Sequence, residues 1–302
     1  MVRESRTMPT PEERFRCLVT GSTGYLGGQV KAALTQRGWT VGELTRQAMP
    51  VGCAIEFQLG ADVAPSTLGT ARALVHCAYD FSQLSWREIH RVNVRGSEKL
   101  LTAAVEAGID RVVYISSISA FERCRSLYGK AKLEIETIAL SLGATVIRPG
   151  LVWGFPGGAV FGRLRQLVEG ARVLPVFRGG SQSQHLVHEE DLTHVICRFA
   201  EGTLDAPRRP ITVAHEHGWT LREILAEIAR AQNKKVSFVP VPWKVAWGLI
   251  KAAELSGLRL TFRSDSLISL MHQNPEPSFG PLRELNIVCR PFGTARGTPS
   301  SA

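Results

Sequence analysis

Thr20-Gly21-Ser22-Thr23-Gly24-Tyr25-Leu26-Gly27-Gly28 follows the apolar run Cys17-Leu18-Val19 and leads straight into a helical pattern. The three segments read as a strand, a glycine turn and a helix. Glycine at positions 21, 24 and 27 lets the backbone turn tightly, approach a pyrophosphate closely and seat the helix against the strand. The helix N-terminus then offers free N–H groups and the positive end of its dipole to an anion. In a chain with 28 Gly such a triplet also arises in ordinary loops, so its meaning depends on its surroundings.

Beyond the turn, Leu26, Val30, Ala33 and Leu34 recur at helical spacing and form one buried stripe that ends at Gly38. A second strand is expected over 39–44. In dinucleotide folds the end of this strand selects the cofactor: a carboxylate bonds the ribose hydroxyl of NAD, whereas an arginine accepts the extra phosphate of NADP. Here the end reads Leu44-Thr45-Arg46, which favours NADP, with NAD as the alternative. A register shift of two residues would instead make Glu43 the ribose ligand.

Ala73-Leu74-Val75-His76-Cys77-Ala78 and Arg111-Val112-Val113-Tyr114-Ile115 are continuous apolar runs of the kind that parallel strands buried on both faces require. Between them, a helix through Ile89, Val92, Leu100 and Ala104 is interrupted by Asn93, whose amide is a cost on an apolar face unless it has a partner. His76 reads either as a satisfied core histidine or as a residue lining the cofactor cleft. The second run ends in Ser116-Ser117, at the strand edge where open parallel sheets bind ligands. Eleven residues after Ser117 comes Tyr128, and Lys132 follows at i+4 on the same helical face.

At this point the sequence resembles the extended branch of the short-chain dehydrogenase/reductase superfamily, the NAD-dependent epimerase/dehydratase family. The resemblance runs from about Phe15 to Val213. It rests on Thr20-Gly21-x-x-Gly24-x-x-Gly27, His76-Cys77-Ala78, Asn93-x-x-Gly96, Ser116-Ser117, Tyr128-x-x-x-Lys132, Arg148-Pro149-x-x-Val152-Trp153-Gly154 and His188-x-x-Asp191-Leu192. It implies a catalytic set of Ser117, Tyr128 and Lys132. Cofactor contacts are implied at Gly21, Ser22, Thr23, Gly24, Tyr25, Leu26, Gly27, Arg46, Asp62, Cys77, Ala78, Asn93, Ser116 and Pro149, with Tyr128 and Lys132 also touching the nicotinamide side. Tyr79 falls to the substrate side, and no metal is implied. Tyr128 would move a proton on and off oxygen while hydride moves at carbon. Bringing its pKa toward neutrality asks about 4 kcal/mol of phenolate stabilisation, for which Lys132 is the available cation.

Two departures bear on substrate. The interval from Ser117 to Tyr128 is short for this branch and carries Arg123 and Arg125, which would favour an anionic substrate if they face the pocket. Leu151 and Gln184 stand where sugar-nucleotide enzymes of the family often carry Asn and Arg, which lowers the odds of a nucleotide sugar.

Composition agrees with an ordinary globular chain of 302 residues, 44% hydrophobic and 21% charged. The formal charge of +9 is spread along the chain rather than gathered in runs, so a phosphorylated cofactor or anionic substrate accounts for it better than nucleic acid does. No membrane partner is expected: no window reaches a spanning length, the N-terminus lacks an apolar signal core, and the reading is cytoplasmic. The six cysteines show no metal spacing.

The fold expected is therefore α/β, a doubly wound parallel sheet (Rossmann) with a smaller, mainly C-terminal substrate lobe. Its parts are a loose tail over 1–14, the cofactor domain over 15–150 and 185–213, the lobe over 151–184 and 214–290, and a mobile tail over 291–302. The activity expected is an NAD(P)-dependent oxidoreductase acting on a carbonyl or carbinol of a small molecule. A nucleotide-sugar epimerase and a non-catalytic NAD(P)-binding sensor are the alternatives. The resemblance adds a homodimer through the helices near 89–104 and 128–142.

Overall fold

The computed structural model describes residues 16–46, 54–154, 159–258, 260 and 262–293. The apolar run before the glycine turn forms β1 (Arg16–Thr20), and the helical stripe after it forms α1 (Tyr25–Gln36), which buries Gly27, Val30 and Leu34. Gly38 at φ +82° reverses the chain into β2 (Thr40–Thr45), one residue beyond the expected end, and β3 (Ala54–Glu56) follows. A short α2 (Pro65–Leu68) leads to β4 (Ala73–His76). Next, α3 (Trp86–Ile89), a π-helical turn over His90–Val94 and α4 (Arg95–Glu106) run without a break, and Asn93 sits inside the π turn. Then come β5 (Arg111–Ile115), α5 (Leu127–Ser141), β6 (Thr145–Pro149) and β7 (Leu151–Trp153).

The stretch over 150–180, rich in Gly and Pro, contains regular structure: α6 (Ala159–Gly170) and β8 (Val173–Phe177). Phe161, Leu164 and Val168 give α6 an apolar stripe that packs into a core, and this outweighs its glycines. The chain continues through β9 (Ser183–His188), α7 (Glu189–Glu201), β10 (Ile211–Val213) and β11 (Gly218–Thr220). The mainly helical end comprises α8 (Leu221–Ala231), β12 (Ser237–Val241), α9 (Trp243–Leu255), α10 (Ser264–Met271) and α11 (Gly280–Glu284). A capping box of Thr220 and Glu223 starts α8, and Pro242 is the N-cap of α9.

Seven strands form one parallel sheet in the order β10-β6-β5-β4-β1-β2-β3. The order reverses at β1, which lies between β2 and β4; such a switch point opens a crevice at the carboxyl ends of the strands. Smaller sheets pair β11-β9-β7 and β12-β8. The chain divides into two compact units, one of Met1–Ile115, Thr137–Val146 and Thr193–Arg208, the other of Ser116–Glu136, Ile147–Leu192 and Arg209–Ala302. The first is built on fully buried Leu18, Val19, Leu74 and Val75. The second has its own cluster of Trp153, Phe161, Leu174, Leu186, Ile224 and Phe292. Phe292 meets Trp153, Phe161 and Trp219 edge to face at 5.3–5.6 Å, so the tail expected to be loose from 291 is still packed at that point. Residues 1–14 and 294–302 lie outside the described residues. No described helix is long and apolar enough to cross a membrane.

Candidate active site

In the first unit, the glycine turn is shaped by positions where no side chain fits. Gly21 adopts φ +68°, and a Cβ there would meet Ala78 N at 3.0 Å. A Cβ on Gly27 would lie 2.2 Å from Gly21 O, well inside contact distance. The N-cap of α1 is extended Gly24, which makes no side-chain capping bond, and the first turn carries no acid. Its N–H groups are therefore left to a ligand, and the residues fit the pyrophosphate of a dinucleotide.

Thr20 holds the opposite wall. Its Oγ1 accepts the N–H groups of Cys77 and Ala78, each at 3.1 Å, and lies 2.7 Å from His76 Nδ1. The hydroxyl has one proton to give, so it donates to Nδ1, and the Nε2–H of His76 donates to Ser97 Oγ at 2.9 Å. His76 is thus a fully buried, satisfied core histidine that fixes the end of β4. Asn93 has its partner too: its amide exchanges two hydrogen bonds with the backbone of Asp80, at 2.7 and 3.1 Å, and pins the loop that follows Ala78. Tyr79 stacks obliquely on Phe81 at 4.8 Å in that same loop.

The β1–β2 register sets Val19 opposite Glu43 and Thr20 opposite Leu44. Glu43 is therefore inside the strand. Its carboxyl is held below the ordinary range chiefly by its ion pair with Lys31 of α1, with a smaller contribution from Ser22. Exposed Arg46 stands just past the strand end. Its charge is one of the influences, after hydrogen bonds from Gln83 and Ser82, that hold the Asp80 carboxyl low against desolvation. Asp62 is exposed and paired with Lys99 at 2.6 Å, beside a surface hollow of about 770 Å³ bordered by Arg91, Arg95 and Glu106.

In the second unit, Ser117, Tyr128 and Lys132 come together. Ser117 hydrogen-bonds the Tyr128 phenol, and Lys132 Nζ lies 5.9 Å from the Tyr128 ring centre, with the lysine only 3% exposed. The expected depression of the tyrosine pKa is corrected here: desolvation dominates and pushes the phenol up to about 12, the Ser117 bond opposing it only in part.

Ser116 differs from Ser117 in its partner. Its hydroxyl donates to buried Glu136, whose carboxylate also receives a forked pair of bonds from Arg148. The side chain of Ser116 is thus committed to the protein. Pro149 acts through its carbonyl, which accepts the Ile118 N–H at 3.0 Å and holds the loop after β5. Arg123 and Arg125 are both exposed. After desolvation, the charges of Arg125 and Arg178 are what keep His272 below its ordinary pKa.

Two contributors were not legible as site residues. Glu136 lies four residues beyond Lys132, and a charge on the inner face of α5 was the available signal. Asp265 gave none: its carboxylate accepts the N–H groups of Leu127 and Tyr128 at 2.7 and 3.0 Å and so caps α5 from α10.

A parallel sheet with a glycine turn at its switch point, a serine in the loop after β5 and a Tyr, Lys pair on the next helix mark a nicotinamide-dependent enzyme of the short-chain type. The profile of the NAD dependent epimerase/dehydratase family matches residues 17–212, and the chain belongs to that family. It is an NAD(P)-dependent oxidoreductase. Among characterised relatives it is similar to the ceramide reductase of Caulobacter vibrioides, 28% identical over 88% of this chain and 87% of the relative. It is also similar to the UDP-glucose 4-epimerase of Vibrio cholerae, 27% identical over 74% of this chain and 78% of the relative. The solved structure of MoeE5 in complex with UDP-glucose and NAD shares the fold, with TM-score 0.64 and 22% identity over 75% of this chain and 85% of that one.

Proposed function

We propose that this protein is an NADPH-preferring reductase that converts a small-molecule ketone or aldehyde to the alcohol. The observation that carries the reading is the Ser117-bonded phenol of Tyr128 beside buried Lys132, with burial raising its pKa. Reduction needs a proton donor at neutral pH, whereas oxidation needs the phenolate. When bound, the reduced nicotinamide supplies a hydride, two electrons and a proton's mass, to the carbonyl carbon. Ser117 orients the carbonyl oxygen and Tyr128 gives it a proton; the alcohol leaves and the phenolate regains its proton from solvent. Lys132 stabilises the transient phenolate and holds the ribose hydroxyls. Gly21, Gly24 and Gly27 hold the pyrophosphate, and Arg46 meets the 2′-phosphate. Similarity to a ceramide reductase over most of both chains supports carbonyl reduction.

The second reading, epimerisation of a nucleotide sugar with retained cofactor, is favoured by similarity to the Vibrio cholerae epimerase. Leu151 and Gln184 count against it, because Leu151 offers no hydrogen bond and Gln184 no charge to a sugar nucleotide. Arg123 and Arg125 lean toward an anionic substrate, and a homodimer through α4 and α5 completes the assembly we propose.

Heat release of bound nucleotide followed by fluorescence titration with NADPH and NADH tests the reading. Empty protein that binds NADPH at least tenfold more tightly, with the preference lost in Arg46→Ala, is the expected result; a charge-assisted phosphate contact of about 1.5–3 kcal/mol predicts that size. Tightly retained NAD overturns it and favours the epimerase.

A further inference from the structure

The helix α9 carries apolar side chains on its outer side as well as its inner one. Its buried residue is an acid, Glu254, whose carboxylate receives the Ser264 N–H at 2.8 Å and the Ser264 hydroxyl at 2.6 Å. Trp243, Trp247 and Ile250 form a partly buried inner side, while Val245, Leu249 and Leu255 are 58%, 69% and 78% exposed. Leu258 and Phe262, on the chain that leaves the helix, are also exposed. Val245 and Leu249 are one helical turn apart and share a face, whereas Trp247 turns its ring nitrogen into the protein. Scattered exposed leucines need no explanation, but a contiguous helix face of them does.

The charge around this face has one sign. Residues 234–263 hold six Lys or Arg and a single acid, which is the buried Glu254. Lys244 is exposed, Lys251 is partly exposed and pairs with Glu254 at 3.5 Å, and both flank the Val245–Leu249 face on the same side of the helix. Long cationic side chains beside an outward apolar face form the pattern of a helix lying in an interface, the apolar side in acyl chains and the ammonium groups among phosphates.

We propose that α9, with Leu258 just beyond its end, docks the protein peripherally on an anionic bilayer surface. A second copy of the chain fits less well, since two-fold pairing of this face sets lysine against lysine. An anionic lipid surface instead complements the cations and takes up the leucines. The inference goes beyond the reductase reading and does not depend on it: it concerns where the enzyme works, and it points to substrates drawn from or delivered to the lipid phase.

The test is flotation of the full chain with vesicles of phosphatidylcholine alone or mixed with phosphatidylglycerol, without substrate or cofactor. Binding to the mixed vesicles, weakened at least tenfold by raised salt, is expected. Leu249→Asp combined with Leu255→Asp should lower it at least tenfold, and Lys244→Glu should lower it severalfold. These positions are exposed, and unchanged NADPH titration serves as the control for folding. The proposal is overturned if the protein ignores anionic vesicles, if the variants bind as the parent does, or if light scattering finds a dimer that Leu249→Asp dissolves. Failure here leaves NADPH turnover untouched, and failure of turnover leaves vesicle binding untouched.

Discussion

At Tyr128 the protein sets a direction rather than a balance. A phenol with a pKa near 12 stays protonated through the working range, so carbonyl reduction should be level with respect to this group from about pH 6 to about pH 9. Alcohol oxidation requires loss of that proton and should rise about tenfold per pH unit over the same range. Initial rates in both directions check this; a reductive rate that falls through neutrality would mean that Lys132 and the bound cofactor outweigh burial. Tyr128→Phe should lower turnover by about 10²–10⁴ while cofactor titration is unchanged. Glu136 is the other residue where a small change has a large effect. Glu136→Gln leaves Arg148 without its forked carboxylate partner and should cost about 3 kcal/mol in denaturant unfolding. Tyr128 and Lys132 were legible because their spacing carries chemistry. Their electrostatics were not, because desolvation depends on neighbours supplied by the whole unit.

Among the elements, the glycine turn is the most constrained. Gly27→Ala places a methyl 2.2 Å from a carbonyl oxygen, so α1 must move off β1; loss of dinucleotide binding together with a lowered melting temperature is expected. The π turn at Asn93 answers the question that residue posed in the sequence. The widened turn lets a buried amide leave the helix surface and pair with Asp80, which periodicity could flag as a cost but not resolve. Helix α5 was readable from the i, i+4 spacing of Tyr128 and Lys132, yet its start was not. Ser126 Oγ accepts the Gly129 N–H locally, and the remaining cap comes from Asp265 on a distant element. Asp265→Ala should destabilise by about 1 kcal/mol and reduce turnover more than cofactor affinity, because the freed N–H groups belong to the residues that present Tyr128.

For the molecule as a whole, strand runs, glycines and helical stripes specified the sheet because those signals are local. The arrangement around it was harder to read. Phe292 looked like the start of a loose tail, since Gly, Pro and Ser surround it, but its ring fills a site between Trp153, Phe161 and Trp219. Phe292→Ala should cost about 3 kcal/mol or more, and urea unfolding would read it directly. The same distance between sequence and contact has a temporal side. The carboxylate that completes the catalytic helix lies 137 residues downstream of Tyr128. A chain synthesised from its N-terminus must therefore extend past α10 before the turn that bears the proton donor is capped, well after the nucleotide turn has left the ribosome.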